Sequence, residues 1–235
     1  MSRFHKFSLS LLFVLFTANS TIAQPLDDAQ LKELMLKNWE RIEDYEVDIK
    51  LALDIPGFRM PSKKIHYMYK APDKSKVEVK GFAIVPKQGI QPFITFLRDS
   101  VDLQIVADTI VNEKAVFEVA LEDTFMNQVG RISFYVDKST GSVYQAWVMH
   151  EDQEFFRMTS EYELFEGSHL PVKTEIQMTF PPEFRDMQAL GKKPTDMQDF
   201  DAQRTSDWIT GYVNIQFKNY KVNRGIPDWK FEDGT

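Results

Sequence analysis

The spacing of apolar residues changes near the start of the chain from a helical period to an extended one. Between residues 27 and about 43, apolar side chains recur at steps of three and four behind an N-cap candidate, Asp27 or Asp28. This pattern predicts an amphipathic helix. Over residues 45–55 apolar and polar positions alternate, which is typical of a half-buried antiparallel strand.

Nine further segments are rich in β-forming residues and end at turn residues, so the chain is predicted to contain about ten strands. Asn112, Glu113 and Lys114 are predicted to form the turn of one hairpin. The nine segments are residues 65–70, 76–85, 101–108, 115–122, 131–136, 143–150, 154–163, 172–180 and 207–220.

Two segments interrupt this run of strands. Residues 90–97 are too aromatic for an ordinary loop, and we expect a short helix or a lid there. Residues 181–206 are polar and contain Pro181, Pro182, Gly191 and Pro194. This second segment is predicted to be a long excursion from the sheet.

The predicted elements constrain the architecture. Ten strands about 4.8 Å apart make a sheet nearly 50 Å wide, whereas one helix is about 10 Å across and cannot cover it. The sheet must therefore curl on itself. We expect a mainly β (α+β) fold in which a curved, unclosed antiparallel barrel of 10–11 strands is partly closed by the helix and the 90–97 segment. An apolar cavity is the expected by-product.

The first 23 residues have the pattern of a cleaved secretory signal peptide. Arg3 and Lys6 precede an apolar run of about ten residues, and Thr21 and Ala23 are small residues before a predicted cut at Gln24. No later stretch has the roughly 20 apolar residues that span a bilayer. We expect residues 24–235 to form a single exported, soluble domain in the periplasm.

Charge and cysteine content exclude several classes of function. Signal cleavage leaves 26 basic against 35 acidic side chains, a net charge of −9, which disfavours binding to nucleic acid. The chain has no cysteine. Disulfides, thiol nucleophiles, cysteine-bound zinc and lipidation of a cysteine are therefore excluded.

Short motifs along the chain resemble the LolA-like outer-membrane lipoprotein carriers and their periplasmic relatives. In that family a strand ends in Lys-x-Pro, a later strand leads through Tyr and Phe into a Gly turn and Leu-Pro-x-Lys, and the last strand ends in Asn-Tyr-x-x-Asn. The matching residues here are Lys70, Ala71 and Pro72, then Tyr162, Phe165, Gly167, Leu170, Pro171 and Lys173, then Asn219, Tyr220 and Asn223.

The resemblance implies an unclosed antiparallel β-barrel with helices as a lid and a cavity that receives acyl chains. The chain departs from the best-known carriers at Ala71, where they have an arginine directly before the proline, and Lys70 matches a different position. It also lacks the lipidated N-terminal cysteine of the membrane-anchored relatives. The resemblance thus implies a soluble carrier or sensor rather than an anchored acceptor.

Residue patterns for catalysis or metal binding are weak. The nucleophile motif Gly-x-Ser-x-Gly is absent. His66, His150 and His169 lack metal-ligand spacing, and Glu151, Asp152 and Glu154 are expected in a solvated turn rather than as a catalytic pair. Three aspartates, Asp196, Asp199 and Asp201, depart from the calcium-loop pattern. We expect no enzyme activity, no metal and no cofactor.

Apolar residues on the predicted helix, strands and lid are the candidate cavity lining. Ordinary core packing explains the same residues, and the two interpretations stay open at this level; the strand count and the adaptable methionines favour a cavity. The candidates are Met35, Trp39, Val47, Ile49, Leu51, Leu53, Val77, Val79, Phe93, Phe96, Leu97, Phe134, Trp147, Met149, Met158 and Met178.

The leading hypothesis is a monomeric periplasmic carrier that holds acyl chains of a lipid or a lipidated protein without chemistry. The alternative is a non-enzymatic envelope sensor that uses the same fold to bind another envelope protein, through sheet edges or through residues 181–206. The alternative predicts a filled interior.

Overall fold

The computed structural model describes residues 26–56, 61–79, 103–125, 128–150, 153–180 and 208–232. The predicted signal peptide, the 90–97 segment with Phe93, Phe96 and Leu97, and the 181–206 excursion lie outside these residues. Within the described residues, no helix is both long enough and apolar enough to cross a membrane.

The predicted N-terminal helix is present as α1, Asp28–Glu40, and ends three residues earlier than the apolar pattern suggested. Asp27 is the N-cap. Its carboxylate accepts the Gln30 backbone N–H at 2.8 Å, and the Gln30 side-chain oxygen accepts the Asp27 N–H at 3.1 Å. This capping box satisfies two backbone donors that would otherwise be unpaired at the helix start.

Ten antiparallel strands form one sheet in the described part of the chain, as the periodicity predicts. The spatial order is β3-β2-β1-β10-β9-β8-β7-β6-β5-β4, and the sheet is not closed into a barrel. The strands are β1 Asp44–Asp54, β2 Lys63–Lys70, β3 Lys74–Val79, β4 Gln104–Val111, β5 Lys114–Phe125, β6 Gln128–Asp137, β7 Val143–His150, β8 Gln153–Phe165, β9 Ser168–Phe180 and β10 Ile209–Val222.

The sheet curves around α1, which divides its surface into a helix-facing side and an outer side. Leu31 and Met35 belong to a cluster with residues of β5, β6 and β7, whereas Trp39 packs against a cluster that extends over β2, β1, β10 and β9. Strands β2 and β5 are seven positions apart, about 34 Å in a flat sheet. Since Leu31 and Trp39 are only about 12 Å apart along the helix, the sheet must curve to reach both.

The core on the helix-facing side has two parts. The first cluster joins α1 to β5, β6 and β7, and the second joins the end of α1 to β1, β2, β9 and β10. Their buried members are Leu31, Met35, Leu103, Val119, Leu121, Phe134, Val136, Val143 and Ala146 in the first cluster, and Ile42, Tyr45, Val47, Ile49, Ile65, Tyr67, Leu170, Phe217 and Val222 in the second.

The segment after β10 crosses the outer side of β1, β2 and β3, and the sequence pattern did not predict this. Lys70 Nζ donates to the Ile226 carbonyl at 2.8 Å and to Asp228 at 2.6 Å, and Lys230 donates to Glu46 at 2.7 Å. Asp228 also begins a short 3-10 helix, Asp228–Phe231. Ion pairs and backbone contacts therefore hold the C-terminal segment against the edge of the sheet that ends in β3.

Candidate functional site

Strand register aligns apolar side chains into a continuous row across eight strands on the helix-facing side. Each member lies directly opposite the next on the neighbouring strand, so the row crosses from β4 to β1 without a polar interruption. We call this row the apolar belt: Ile105, Val119, Phe134, Ala146, Met158, Ile176, Val213 and Leu53.

A second apolar row runs beside the belt, two residues further along each strand. It crosses six strands, from β5 to β10, in the same register. Its members are Leu121, Ile132, Val148, Phe156, Met178 and Gly211. Neither row contains a titratable side chain, so the surface that they form offers contact to apolar groups only.

Burial differs between the members of these rows. Val119, Phe134 and Ala146 pack in the cluster that contains Leu31 and Met35, and all three are buried. Four belt residues on β8, β9, β10 and β1 are only half-buried, and so are four residues of the second row. These eight residues, the half-buried patch, are Met158, Ile176, Val213, Leu53, Ile132, Val148, Phe156 and Met178.

Two contacts fix α1 at one end of the sheet. The Asn38 side-chain amide binds both backbone groups of His169, at 2.6 Å each, near the β8–β9 turn. Gly141, in the β6–β7 turn, lies so close to the helix that an added Cβ would be 2.3 Å from the Leu34 carbonyl oxygen. Both turns are at the same end of the sheet, so the helix covers that end and leaves the patch half-buried.

Polar groups next to the belt are satisfied inside the protein. Ser160 and Thr174 are opposite each other, two residues along β8 and β9 from Met158 and Ile176, and their buried hydroxyls bind each other at 2.9 Å. The Tyr162 hydroxyl donates to the Val143 carbonyl at 2.9 Å, and burial raises the pKa of Tyr162 to about 12. Burial likewise raises the pKa of Tyr220. Both phenols are neutral near pH 7 and act as structural donors.

The structure separates the sequence-predicted candidates into three groups. Met35, Trp39, Val47, Ile49, Leu51, Leu53, Val77, Val79, Phe134, Met158 and Met178 lie on α1 or on the helix-facing side of the sheet. Trp147 and Met149 lie on the outer side. Phe93, Phe96 and Leu97 are outside the described residues.

The position of Trp147 corrects its assignment to the lining. Ala146 pairs with Phe134 and Met158 on the helix-facing side, so the next residue, Trp147, must point to the outer side. There it is opposite Arg157, and its ring lies 4.7 Å from that of Tyr135. Met149 is two residues further along β7 and therefore lies on the same outer side as Trp147.

Sequence reasoning did not single out five of the eight patch residues, which are Ile132, Val148, Phe156, Ile176 and Val213. The period-two alternation within residues 172–180 and 207–220 contained the signal for Ile176 and Val213. Only the register between strands, however, shows that these residues adjoin Met158 and Leu53.

The chemical candidates do not converge on the belt. His66 pairs with Asp48 at 2.9 Å on the outer side, and Asn219 donates to the same carboxylate at 2.8 Å, so these hydrogen bonds lower the pKa of Asp48. His169 contributes its backbone to the contact with Asn38. In the described residues, no three histidine, aspartate or glutamate side chains form a metal-binding group.

Comparison with solved structures shows a LolA-like fold. A DUF1329 family protein from Desulfovibrio piger is 12% identical, with 87% of this chain and 96% of that chain covered and a TM-score of 0.57. A domain from Vibrio parahaemolyticus assigned to outer membrane lipoprotein sorting is 8% identical, with coverages of 85% and 95% and a TM-score of 0.54. A LolA superfamily protein from Nitrosomonas europaea is 10% identical, with coverages of 86% and 97% and a TM-score of 0.51.

No family model matches the sequence, and no curated protein matches it. The structural similarity therefore shows the fold, at sequence identities too low to carry residue roles from one protein to another.

Proposed function

Starting from the LolA-like fold, we propose that this protein is an exported, periplasmic binding protein that holds the acyl chain of a lipid or a lipidated protein, without chemistry. The half-buried patch is the observation that carries the proposal. Eight half-buried apolar side chains adjoin one another on the helix-facing side, and of these only Ile132 and Met158 pack against the cluster that contains Leu31 and Met35 of α1. Contiguous, accessible apolar surface of this kind is typical of ligand-binding sites.

The chemistry of the belt supports binding rather than catalysis. Both rows are apolar throughout, and the adjacent hydroxyls of Ser160, Thr174 and Tyr162 already bind partners inside the protein. An acyl chain requires no polar partner. Each methylene that it buries contributes about 0.8 kcal/mol before ordering costs. The relation of this fold to a domain assigned to lipoprotein sorting also supports an acylated ligand.

Displacement of a neutral fluorescent probe tests the proposal. N-phenyl-1-naphthylamine is expected to bind purified protein with increased emission, and neutral alcohols of eight to twelve carbons are expected to displace it. Because each added methylene is buried, affinity should rise about fourfold per carbon until the patch is filled. Absence of probe binding, together with absence of co-purified lipid in native mass spectrometry, would overturn the proposal.

Two methionines provide a matched pair of variants for the same assay. Met178 lies in the half-buried patch, whereas Met149 lies on the outer side, and both are half-buried. Met178→Gln places an amide in the patch and should weaken probe binding about five- to tenfold. Met149→Gln makes the identical change on the outer side and should leave binding within about twofold of wild type. Equal effects of the two variants would contradict a site on the helix-facing side.

A further inference from the structure

A lysine of β2 lies on the helix-facing side, next to the β1 end of the belt. Lys63, the first residue of β2, is directly opposite Leu51 on β1, and Leu51 packs into the second core cluster with Ile65. The side chain of Lys63 therefore shares the side of the sheet that Leu51 and Ile65 occupy. The belt residue Leu53 is two residues beyond Leu51, a diagonal neighbour about 7–8 Å away and within reach of a lysine side chain.

The other lysines and arginines of the ten described strands occupy outer-side register positions. Lys64, the next residue, pairs with Lys50, and Lys218 pairs with Asp48 on the same side. Several of these outer cations have carboxylate partners, such as Lys221 with Glu46 and Lys173 with Glu175. Lys63 is half-buried and forms no ion pair with any described residue.

We propose that Lys63 binds the headgroup of an anionic amphiphile whose acyl chain lies on the half-buried patch. This inference rests on the proposed function and specifies its ligand class. A lysine that packs its methylene stem along apolar surface keeps its ammonium group at the margin of that surface. A carboxylate or phosphate at the same margin forms a charge-assisted hydrogen bond with it, while the attached chain extends over Leu53 and Val213.

The geometry also sets the orientation of the ligand. Lys63 is beyond the β1 end of the belt, and the half-buried residues extend from Leu53 on β1 to Ile132 on β6. A ligand whose headgroup is at Lys63 therefore directs its chain across β1, β10, β9 and β8, perpendicular to the strands. A neutral headgroup gains less from the ammonium group than an anion does, so Lys63 favours anionic ligands.

Three ten-carbon ligands with different headgroups test the proposal by titration calorimetry below their micelle-forming concentrations. Decanoate carries a carboxylate, decyl phosphate carries a phosphate, and decanol is neutral. Lys63→Gln should weaken binding of one or both anions about three- to tenfold and leave decanol within about twofold of wild type. The anion that responds more strongly identifies the source of the headgroup, a free fatty acid or a phospholipid.

Lys64→Gln is the matched control, since it removes the same charge from the neighbouring, outer-side position. Lys64→Gln should change the affinity for each of the three ligands by less than about twofold. The conservative variant Lys63→Arg should retain binding of the anions. Thermal unfolding of each variant confirms that it is folded.

The possible failures are distinguishable. If wild type binds all three ligands and Lys63→Gln binds them equally well, or loses decanol as much as the anions, the role of Lys63 is overturned while acyl-chain binding stands. If Lys64→Gln weakens the anions as much as Lys63→Gln does, the effect is general electrostatics, and the role of Lys63 is again overturned. If wild type binds none of the three, the proposed function falls, and the role of Lys63 falls with it.

Discussion

The side-chain amide of Asn38 binds the backbone of His169 as a neighbouring strand would. Asn38 Nδ2 donates to the His169 carbonyl oxygen and Asn38 Oδ1 accepts from the His169 N–H, both at 2.6 Å. Asn38 is 8% exposed, so water does not readily replace either bond. One helical side chain thus joins α1 to the start of β9.

Replacement of Asn38 by alanine should therefore destabilise the protein by about 2–3 kcal/mol, because it leaves two backbone groups of His169 unpaired beneath the helix. Asn38→Asp should be at least as damaging at pH 7, since a carboxylate oxygen then faces the His169 carbonyl. Urea unfolding measures both. Lys37→Ala, at an exposed position of the same helix, should cost less than about 0.5 kcal/mol; a similar loss in this variant and in Asn38→Ala would contradict the role of Asn38.

Alanine variants of Gly141 and Gly225 distinguish the cost of a steric clash with α1 from the cost of a positive φ angle alone. Both have positive φ, +70° and +75°, but a Cβ at position 141 would be 2.3 Å from the Leu34 carbonyl oxygen, while a Cβ at position 225 would meet nothing within 4 Å. Gly225→Ala should cost about 1 kcal/mol in unfolding free energy. Gly141→Ala should cost at least about 2 kcal/mol more than that, because α1 must move. Equal costs would show that the contact of Gly141 with the helix is not important for stability.

The buried hydroxyl pair of Ser160 and Thr174 should behave as a coupled unit. Ser160→Ala and Thr174→Val each leave one buried hydroxyl without its partner and should each cost about 1–3 kcal/mol. The double variant should cost clearly less than the sum of the two, because no unpaired hydroxyl remains. A double-mutant cycle from urea unfolding measures the coupling, and strictly additive losses would contradict it.

The C-terminal segment should loosen in acid. Hydrogen bonds from Lys70 and then Lys74 lower the pKa of Asp228 from 3.8 to about 2. Because the folded-state pKa is lowered, the stabilisation is fully present above about pH 4 and is lost as pH falls towards 2.

A comparison of wild type with Asp228→Asn tests the direction in which this stabilisation changes with pH. Wild type should be the more stable protein at pH 5–7, and the difference in unfolding free energy should vanish near pH 2 and shrink in high salt. Asp228 is largely exposed, so we expect a small difference. A difference that grows as pH falls would contradict the assigned ion pairs.

Local patterns in the sequence predicted the elements well because strand and helix periods are local properties. The alternation over residues 45–55 predicted β1 to within one residue at each end, and Asp27 was one of two predicted N-caps. The C-terminal segment escaped prediction, since its residues are held by partners more than 150 positions away, such as Lys70 and Glu46, and it has no period of its own.

The lining was predicted less well than the strands. In β7 the residues of both alternating sets are apolar, with Ala146 and Val148 in one set and Trp147 and Met149 in the other. The alternation alone therefore does not indicate which set lies on the helix-facing side. The large residues were chosen, yet the register with Phe134 on β6 selects the small ones. Pairing between strands, which a single sequence does not display, decides this choice.

The order of strands has a consequence for when the chain can fold. β1 pairs with β10, so the first and last strands of the sheet are neighbours at its interior, and β10 alone joins β1–β3 to β4–β9. A growing chain therefore holds two separate half-sheets until its last strand has been synthesised. Contacts that span so much of the sequence form slowly. The ten-stranded sheet is thus completed only after β10 has been synthesised and has paired with both β1 and β9.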